Sequence, residues 1–350
     1  MKPIILSGHC RPIKDLKFTS NSEHLFSGSI DRNVILWATE TGQKVMTYQH
    51  TAAVNTIGVT SDCKLLVTGD NTGTSYIWDV NGGNLLKKME NDALLNLKSL
   101  TISNDDKRVI LIQSGRNKDS TSSVDMYNLL DIFMKSCGTL SIQAFEPLFH
   151  LESLKAQKYI SPRFTKDDNR LYLSRDDGYI ELIEINEKKK VIKQKKFHND
   201  VIMDFDLSKN NDELLITASL DGTSHVIDTE NYEVIHTFKP QNPTRNINAC
   251  KLLPSVLNNK ESWEKERYHA VISGGQDCRN VTTTNAKEGG FDLEFVNFLT
   301  GESVGSIKGH FGPVNTLAFS KDGKILVSGA EDSTVRIQNI TDYIFDKKDI

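Results

Sequence analysis

The chain has 350 residues, a net charge of -4, 25% charged residues and 38% hydrophobic ones, a balance that suits a soluble globular protein rather than a disordered or fibrous one. Such a charge gives no global case for nucleic-acid binding, and no stretch approaches the roughly 18 apolar residues of a membrane helix. Five cysteines (Cys10, Cys63, Cys137, Cys250, Cys278) include no Cys-x-x-Cys pair. That odd count at irregular spacing argues against a disulfide framework and for a reducing compartment, cytosolic or nuclear. Met1–Leu6 is too short an apolar run for a signal peptide.

Taken in order, the first clear unit runs from Gly8-His9 through the alternation of Ile13, Leu16 and Phe18. It continues through Leu25-Phe26-Ser27-Gly28-Ser29 and Asp31 to Val34-Ile35-Leu36-Trp37. A second copy starts at His50 and passes through Thr68-Gly69 to Trp78-Asp79. The third has no Gly-His, but Val109–Ile112 and Val124–Tyr127 read as its strands. From Leu130 to Leu148 the repeat is lost, and Asp131–Met134 is expected to form at most a short helical turn in a loop between strands or blades. A fourth copy is expected to resume at about His150. The fifth carries His198, Thr217 and Asp221. The sixth opens at Phe238 and is stretched twice, over Pro254–Tyr268 and Gly274–Gly290. The seventh carries Gly309-His310, Ser328-Gly329 and Asp332. In the first and last copies the aspartate lies 22 positions after the histidine.

Every copy alternates apolar and polar residues over four to six positions, the period of a strand. Turn residues such as Asp105-Asp106 and Asp322-Gly323 separate the runs. Units of about 40 residues with four short strands each describe propeller blades, and seven of them close a circle. The expected fold is therefore all-β: one seven-bladed β-propeller over residues 1–345, with 346–350 as a tail. Ile4-Ile5-Leu6 precedes the first Gly-His, so it is expected to complete blade seven and protect an open edge.

Several motifs imitate chemistry. A Ser-His-Asp set recurs, but a hydrolytic triad occurs once and in a cleft, whereas this set follows the fold period. Gly301-Glu302-Ser303-Val304-Gly305 matches a nucleophile elbow, yet it occupies the turn before a fourth strand instead of a strand-to-helix turn. Asp204, Asp206, Ser208, Asn210 and Asp212 alternate like calcium ligands but lack the glycine and the closing glutamate of such a loop. No zinc spacing or phosphate-cradling glycine motif is present. Neither catalytic residues, nor a cofactor, nor a metal is expected. Lys188–Lys190 and Lys193, Lys195 and Lys196 make a basic ribbon, read as a solvated strand pair, and no sequence-specific nucleic-acid binding is expected.

Gly-His, Ser-Gly-Ser-x-Asp and a closing tryptophan resemble the WD-repeat signature across almost the whole chain. The resemblance implies that His9, Ser27, Asp31 and Trp37 form a hydrogen-bonded set. Partial sets are implied for His50, Thr68 and Trp78, for His198, Thr217 and Asp221, and for His310, Ser328 and Asp332. Blade six goes further. Gly274-Gly275-Gln276-Asp277, Val281-Thr282-Thr283-Thr284 and Gly290-Phe291…Phe295 resemble the i subunit of eukaryotic translation initiation factor 3, as do Met1–His9 and Gly309–Asn315. Asp292-Leu293-Glu294 departs from that family's pattern. The resemblance implies a cytoplasmic, non-enzymatic scaffold of the initiation factor 3 complex, without membrane contact. It would dock the C-terminal helix of the b subunit and a segment of the g subunit, and reach the small ribosomal subunit through the complex. Partner-binding positions are expected at Asp228, and at Asp212 or Asn211. The alternative is a WD-repeat adaptor of a signalling or ubiquitin-ligase complex, with an aromatic and arginine ring at its channel.

Overall fold

The structure, a computed structural model, describes residues 3–90, 95–115, 117, 120–129, 146–185, 190–208, 212–240, 245–254, 269–276 and 290–341. Its strands form seven four-stranded antiparallel sheets arranged as a ring of blades. The first strand, β1 (Ile4–Leu6), stands apart from its sequence neighbours. Blade one is β2 (Ile13–Phe18), β3 (His24–Ser29), β4 (Asn33–Ala38) and β5 (Lys44–Gln49). Blade two is β6 (Val54–Val59), β7 (Leu65–Asp70), β8 (Ser75–Asp79) and β9 (Leu85–Met89). Blade three is β10 (Leu95–Ile102), β11 (Arg108–Gly115), β12 (Ser122–Asn128) and β13 (Phe149–Glu152). Blade four is β14 (Tyr159–Phe164), β15 (Arg170–Arg175), β16 (Tyr179–Glu184) and β17 (Val191–Lys196). Blade five is β18 (Ile202–Leu207), β19 (Leu214–Ser219), β20 (Ser224–Asp228) and β21 (Glu233–Phe238). Blade six is β22 (Asn246–Leu252), β23 (Ala270–Gly275), β24 (Leu293–Asn297) and β25 (Glu302–Ile307). Blade seven supplies β26 (Val314–Phe319), β27 (Ile325–Ala330) and β28 (Val335–Asn339).

Blade seven is completed by the other end of the chain, as expected. β1 pairs with β28, with Ile4 opposite Ile337 and Leu6 opposite Val335. Leu6 then packs in one buried cluster with Ile13, Leu25 and Trp37 of blade one and Val327 and Ile337 of blade seven. Burying a leucine this fully is worth about 1.5–3 kcal/mol, so the short strand is held by packing as well as by its ladder.

Burial follows position within a blade. The second strand is covered on both faces by neighbouring blades, and Leu25–Ser29 is wholly buried. The outer strand is mostly open, as in β17, where five of six residues are exposed. The core is therefore a ring of inter-blade layers, such as Phe26, Tyr48, Val54, Ile57, Leu66 and Trp78 between blades one and two. The glycine of each Ser/Thr-Gly pair makes that packing possible. A Cβ on Gly28 would lie 2.9 Å from Ile57 Cδ1, and one on Gly329 2.6 Å from Ile13 Cγ2, inside van der Waals contact. No helix among the described residues is long and apolar enough to cross a membrane.

One expectation is corrected. His150 does not open a fourth copy. It lies on β13, the outer strand of blade three, opposite Asp125 of β12, and blade four begins at Tyr159. The lost stretch therefore separates the third and fourth strands of blade three, so the next blade starts later than the repeat count implies. Residues 130–145, including Asp131–Met134, lie outside the described residues.

Candidate functional site

The four-residue set of blade one is assembled as its spacing implies. His9 sits in the loop before β2, Ser27 on β3, Asp31 in the next turn and Trp37 on β4. His9 Nε2 bonds Ser27 Oγ at 2.8 Å, His9 Nδ1 bonds Asp31 Oδ2 at 2.8 Å, and Trp37 Nε1 donates to Ser27 Oγ at 2.7 Å. Burial pushes the Asp31 carboxyl up, but the His9 bond and the amides of Cys10 and Asn33 outweigh it and hold it below the ordinary value. Ser27 is fully buried and engaged twice, so it is structural and cannot reach a substrate.

The other sets depart as their missing members require. In blade two, His50 Nε2 and Trp78 Nε1 both meet Thr68 Oγ1, at 2.7 and 3.1 Å. His50 Nδ1, without an aspartate, bonds the Tyr48 carbonyl at 3.1 Å. Burial pulls the His50 imidazole down to about 4. In blade five, His198 bonds Thr217 at 2.7 Å and Asp221 at 3.0 Å, and His225 stacks on it with ring centroids 4.2 Å apart. In blade seven, His310 bonds Ser328 at 2.8 Å and Asp332 at 3.0 Å, but Gln338 in the tryptophan place leaves its buried Oε1 without a partner among the described residues.

Blades four and six use arginine where histidine is missing. Arg175 pairs with Asp177 and Glu181, and Tyr159 Oη donates to Glu181 at 3.2 Å. Arg245, 5% exposed, approaches Glu294 on β24 at 3.4 Å and donates to the Asp292 carbonyl. Glu294 belongs to the Asp292-Leu293-Glu294 run that departs from the pattern the sequence resembles, and here it is the counterion of a buried cation. Gly274 and Gly275 end β23. A Cβ on Gly275, at φ 148°, would meet buried Phe291 at 2.4 Å. The described ends of the blade-six element are thus packing and charge pairing, while 277–289 lie outside the described residues.

The expected partner-binding residues stand close together on blade five. Asp228 ends β20, and its carboxylate accepts Glu230 N at 2.7 Å and Asn231 N at 3.4 Å, capping its own turn as Asp79 does. It is half-buried, and no lysine or arginine lies within ion-pair distance of it among the described residues. Asp212, at φ 53°, belongs to the turn between β18 and β19. Its Oδ2 accepts Lys166 N at 2.8 Å, and its carbonyl accepts the Thr229 hydroxyl of the Asp228 turn. Burial raises its carboxyl. Asn211 lies outside the described residues.

Asp212 belongs to a pattern that spacing alone did not reveal. In most of these inner turns the residue with positive φ reaches back to the turn of the preceding blade. Cys63 Sγ accepts Ser20 N at 3.4 Å, Asp106 accepts Ser61 N at 2.9 Å, and Asp168 accepts Asn104 N at 2.9 Å. Ser22 Oγ accepts Lys321 N at 2.9 Å across the closure of the ring. A legible trace exists: Thr19-x-Asn21, Thr60-x-Asp62, Ser103-x-Asp105, Thr165-x-Asp167 and Ser320-x-Asp322 mark the same turn. The basic ribbon is likewise partly consumed. Lys193 Nζ donates to the Glu230 carbonyl at 2.6 Å, and Lys195 Nζ to the Tyr232 carbonyl at 2.6 Å.

Residues 2–38, 42–79 and 301–339 match the family model described as WD domain, G-beta repeat. Each match runs from an outer strand through the third strand of the following blade. Eukaryotic translation initiation factor 3 subunit I of Drosophila erecta and that of Drosophila melanogaster are both 30% identical to this chain over 349 residues, covering 99% of it and 99% of the relative. The subunit of Drosophila grimshawi is 29% identical over 347 residues, with the same coverage.

Proposed function

The chain belongs to the eukaryotic translation initiation factor 3 subunit I family, and from that premise we propose that it is a cytoplasmic, non-enzymatic scaffold of the initiation factor 3 complex. Its partners are the b subunit, through a C-terminal helix, and a segment of the g subunit, and it reaches the small ribosomal subunit through them. The observation that carries this reading is kinship along the entire length, not a shared domain alone. Two features support it. The recurring His-Ser-Asp sets are internally satisfied and buried, and so are fold chemistry. A rigid ring also presents its surfaces pre-formed, so a partner segment carries most of the ordering cost.

Asp228 is the acid we assign to a partner arginine. It is partly open and lacks a cationic partner among the described residues, whereas the Asp212 carboxylate is turned back to accept the backbone amide of Lys166. The adaptor alternative expects a ring of aromatic and arginine residues at the channel; among the described residues that line it there is one arginine, Arg163, and no aromatic residue. Co-purification of the tagged chain with partner identification tests the main reading: recovery with other initiation-factor subunits is expected, and recovery without any overturns it. Asp228→Lys should weaken capture of the b-subunit helix about tenfold, the loss of one good charge pair. Unchanged capture would remove Asp228 from the interface.

A further inference from the structure

Each innermost strand carries a β-bulge in its first half: at Lys14, Asn55, Lys98, Ile160–Ser161, Met203, Asn248 and Asn315. A bulge re-aims a side chain, and all of these residues line one cavity of about 340 Å³ at the axis of the ring. That volume is within the range of small-molecule sites.

The wall of this channel is cationic. Lys14, Lys17, Lys98, Arg163 and Lys251 line it against only two carboxylates, Asp15 and Asp204. Those carboxylates are already spent. Asp15 Oδ2 accepts Ile57 N at 2.8 Å and its Oδ1 lies 3.7 Å from Lys17 Nζ, while Asp204 is shared between Arg163 at 2.8 Å and Lys251 at 3.1 Å. Glu331 and Asp206, behind the wall, pair with Lys14 at 2.9 Å and Lys251 at 3.8 Å, and the count still stays positive. Lys98 has no carboxylate within ion-pair distance among the described residues. We propose that the axial channel binds a small multivalent oxyanion of the phosphate class, held by Lys17, Lys98, Arg163 and Lys251.

Two further facts fit. Asp15 pulls the Lys17 ammonium up, yet burial with the charges of Arg163 and Lys251 holds it below the ordinary lysine value. Burial and Lys158 do the same at Lys98. Cations crowded in this way gain from an anion that water alone does not supply. The guanidinium of Arg163 is held in place by Ser161, the Pro162 carbonyl and Asp204, so it adds a fixed positive charge to the wall.

Titration calorimetry of the full chain with sodium tripolyphosphate, against sodium chloride of equal ionic strength, tests this. Saturable binding of one anion per chain is expected, weakened at least tenfold in Lys98→Gln and Lys17→Gln and unaffected in Lys196→Gln on the outer ribbon. Lys98→Arg should restore affinity, and melting curves of each variant show that it is folded. Equal affinity for ATP would mean that the phosphates alone are read. No saturable heat above the chloride control overturns the proposal. So does binding that survives Lys98→Gln and Lys17→Gln but falls in Lys196→Gln.

Discussion

In blade one, a loop histidine, a serine, a turn aspartate and a tryptophan tie three segments together around one hydroxyl. In blade six, Arg245 leaves the corresponding loop and meets Glu294 on the third strand. Both devices satisfy a buried polar group that links the entry of a blade to its interior. The first is built on hydrogen bonds converging on one hydroxyl and tolerates partial loss, as blades two and seven demonstrate by keeping histidine and hydroxyl while losing another member. The second is all-or-none, because a buried charge without its partner costs more than the pair contributes. What a blade requires is a satisfied link, not a particular set of residues, and blade six combines its different link with two long insertions.

The strongest way to break the comparison is Trp37→Ala. It removes a side chain that is 2% exposed together with its bond to Ser27, so a loss of about 3–5 kcal/mol is expected in urea unfolding. A loss below about 1 kcal/mol would mean that the set does not support blade one. Arg245→Met comes next, at about 3 kcal/mol, because Glu294 is left buried and unpaired. Adding Glu294→Leu should recover most of that loss, and the double-mutant cycle reads the coupling directly. No comparable rescue is expected from paired changes in blade one.

Blade two sharpens the contrast through pH. The folded-state value of His50, about 4, lies below its ordinary value of 6.5. Its contribution is therefore complete above pH 6.5 and is lost as pH falls from 6.5 towards 4. His225, likewise lowered to about 4, titrates in the same window, so His50→Gln should remove about 2–3 kcal/mol of the drop in urea stability across it and leave the remainder. Asp31, Asp221 and Asp332 are depressed carboxyls, so their contributions persist to lower pH and fail only below the ordinary carboxylate range. The smallest effect belongs to Asp228→Ala, which loses a turn bond worth about 0.5–1 kcal/mol. A larger loss in thermal melts would make Asp228 a structural residue.

The blade number and the clasp at Ile4–Leu6 were legible because each rests on a period that survives in the order of residues, whereas the hydrogen-bonded sets followed from the resemblance to the WD-repeat signature. What escaped was pairing without a period. Arg245 finds Glu294 across an insertion, and nothing local to either residue announces the other. His150 misled because it lies on the outer strand of blade three itself, so a histidine on an open edge imitated one at a blade entrance. The turn clamps, with Asp212 among them, depend on a positive φ at one residue, which aspartate adopts without the signature a glycine would leave.

The clasp has a consequence in time. From Leu6 to Val335, its partner on β28, the ribosome must add 329 residues, which at ~5–20 residues per second takes roughly 15–65 s. Throughout that interval β1 has no partner, and six blades can form before the seventh has its last strand. A newborn propeller is therefore an open arc whose two edges can join only after β28 has emerged. Anything fused ahead of Met1 travels through that last step with it.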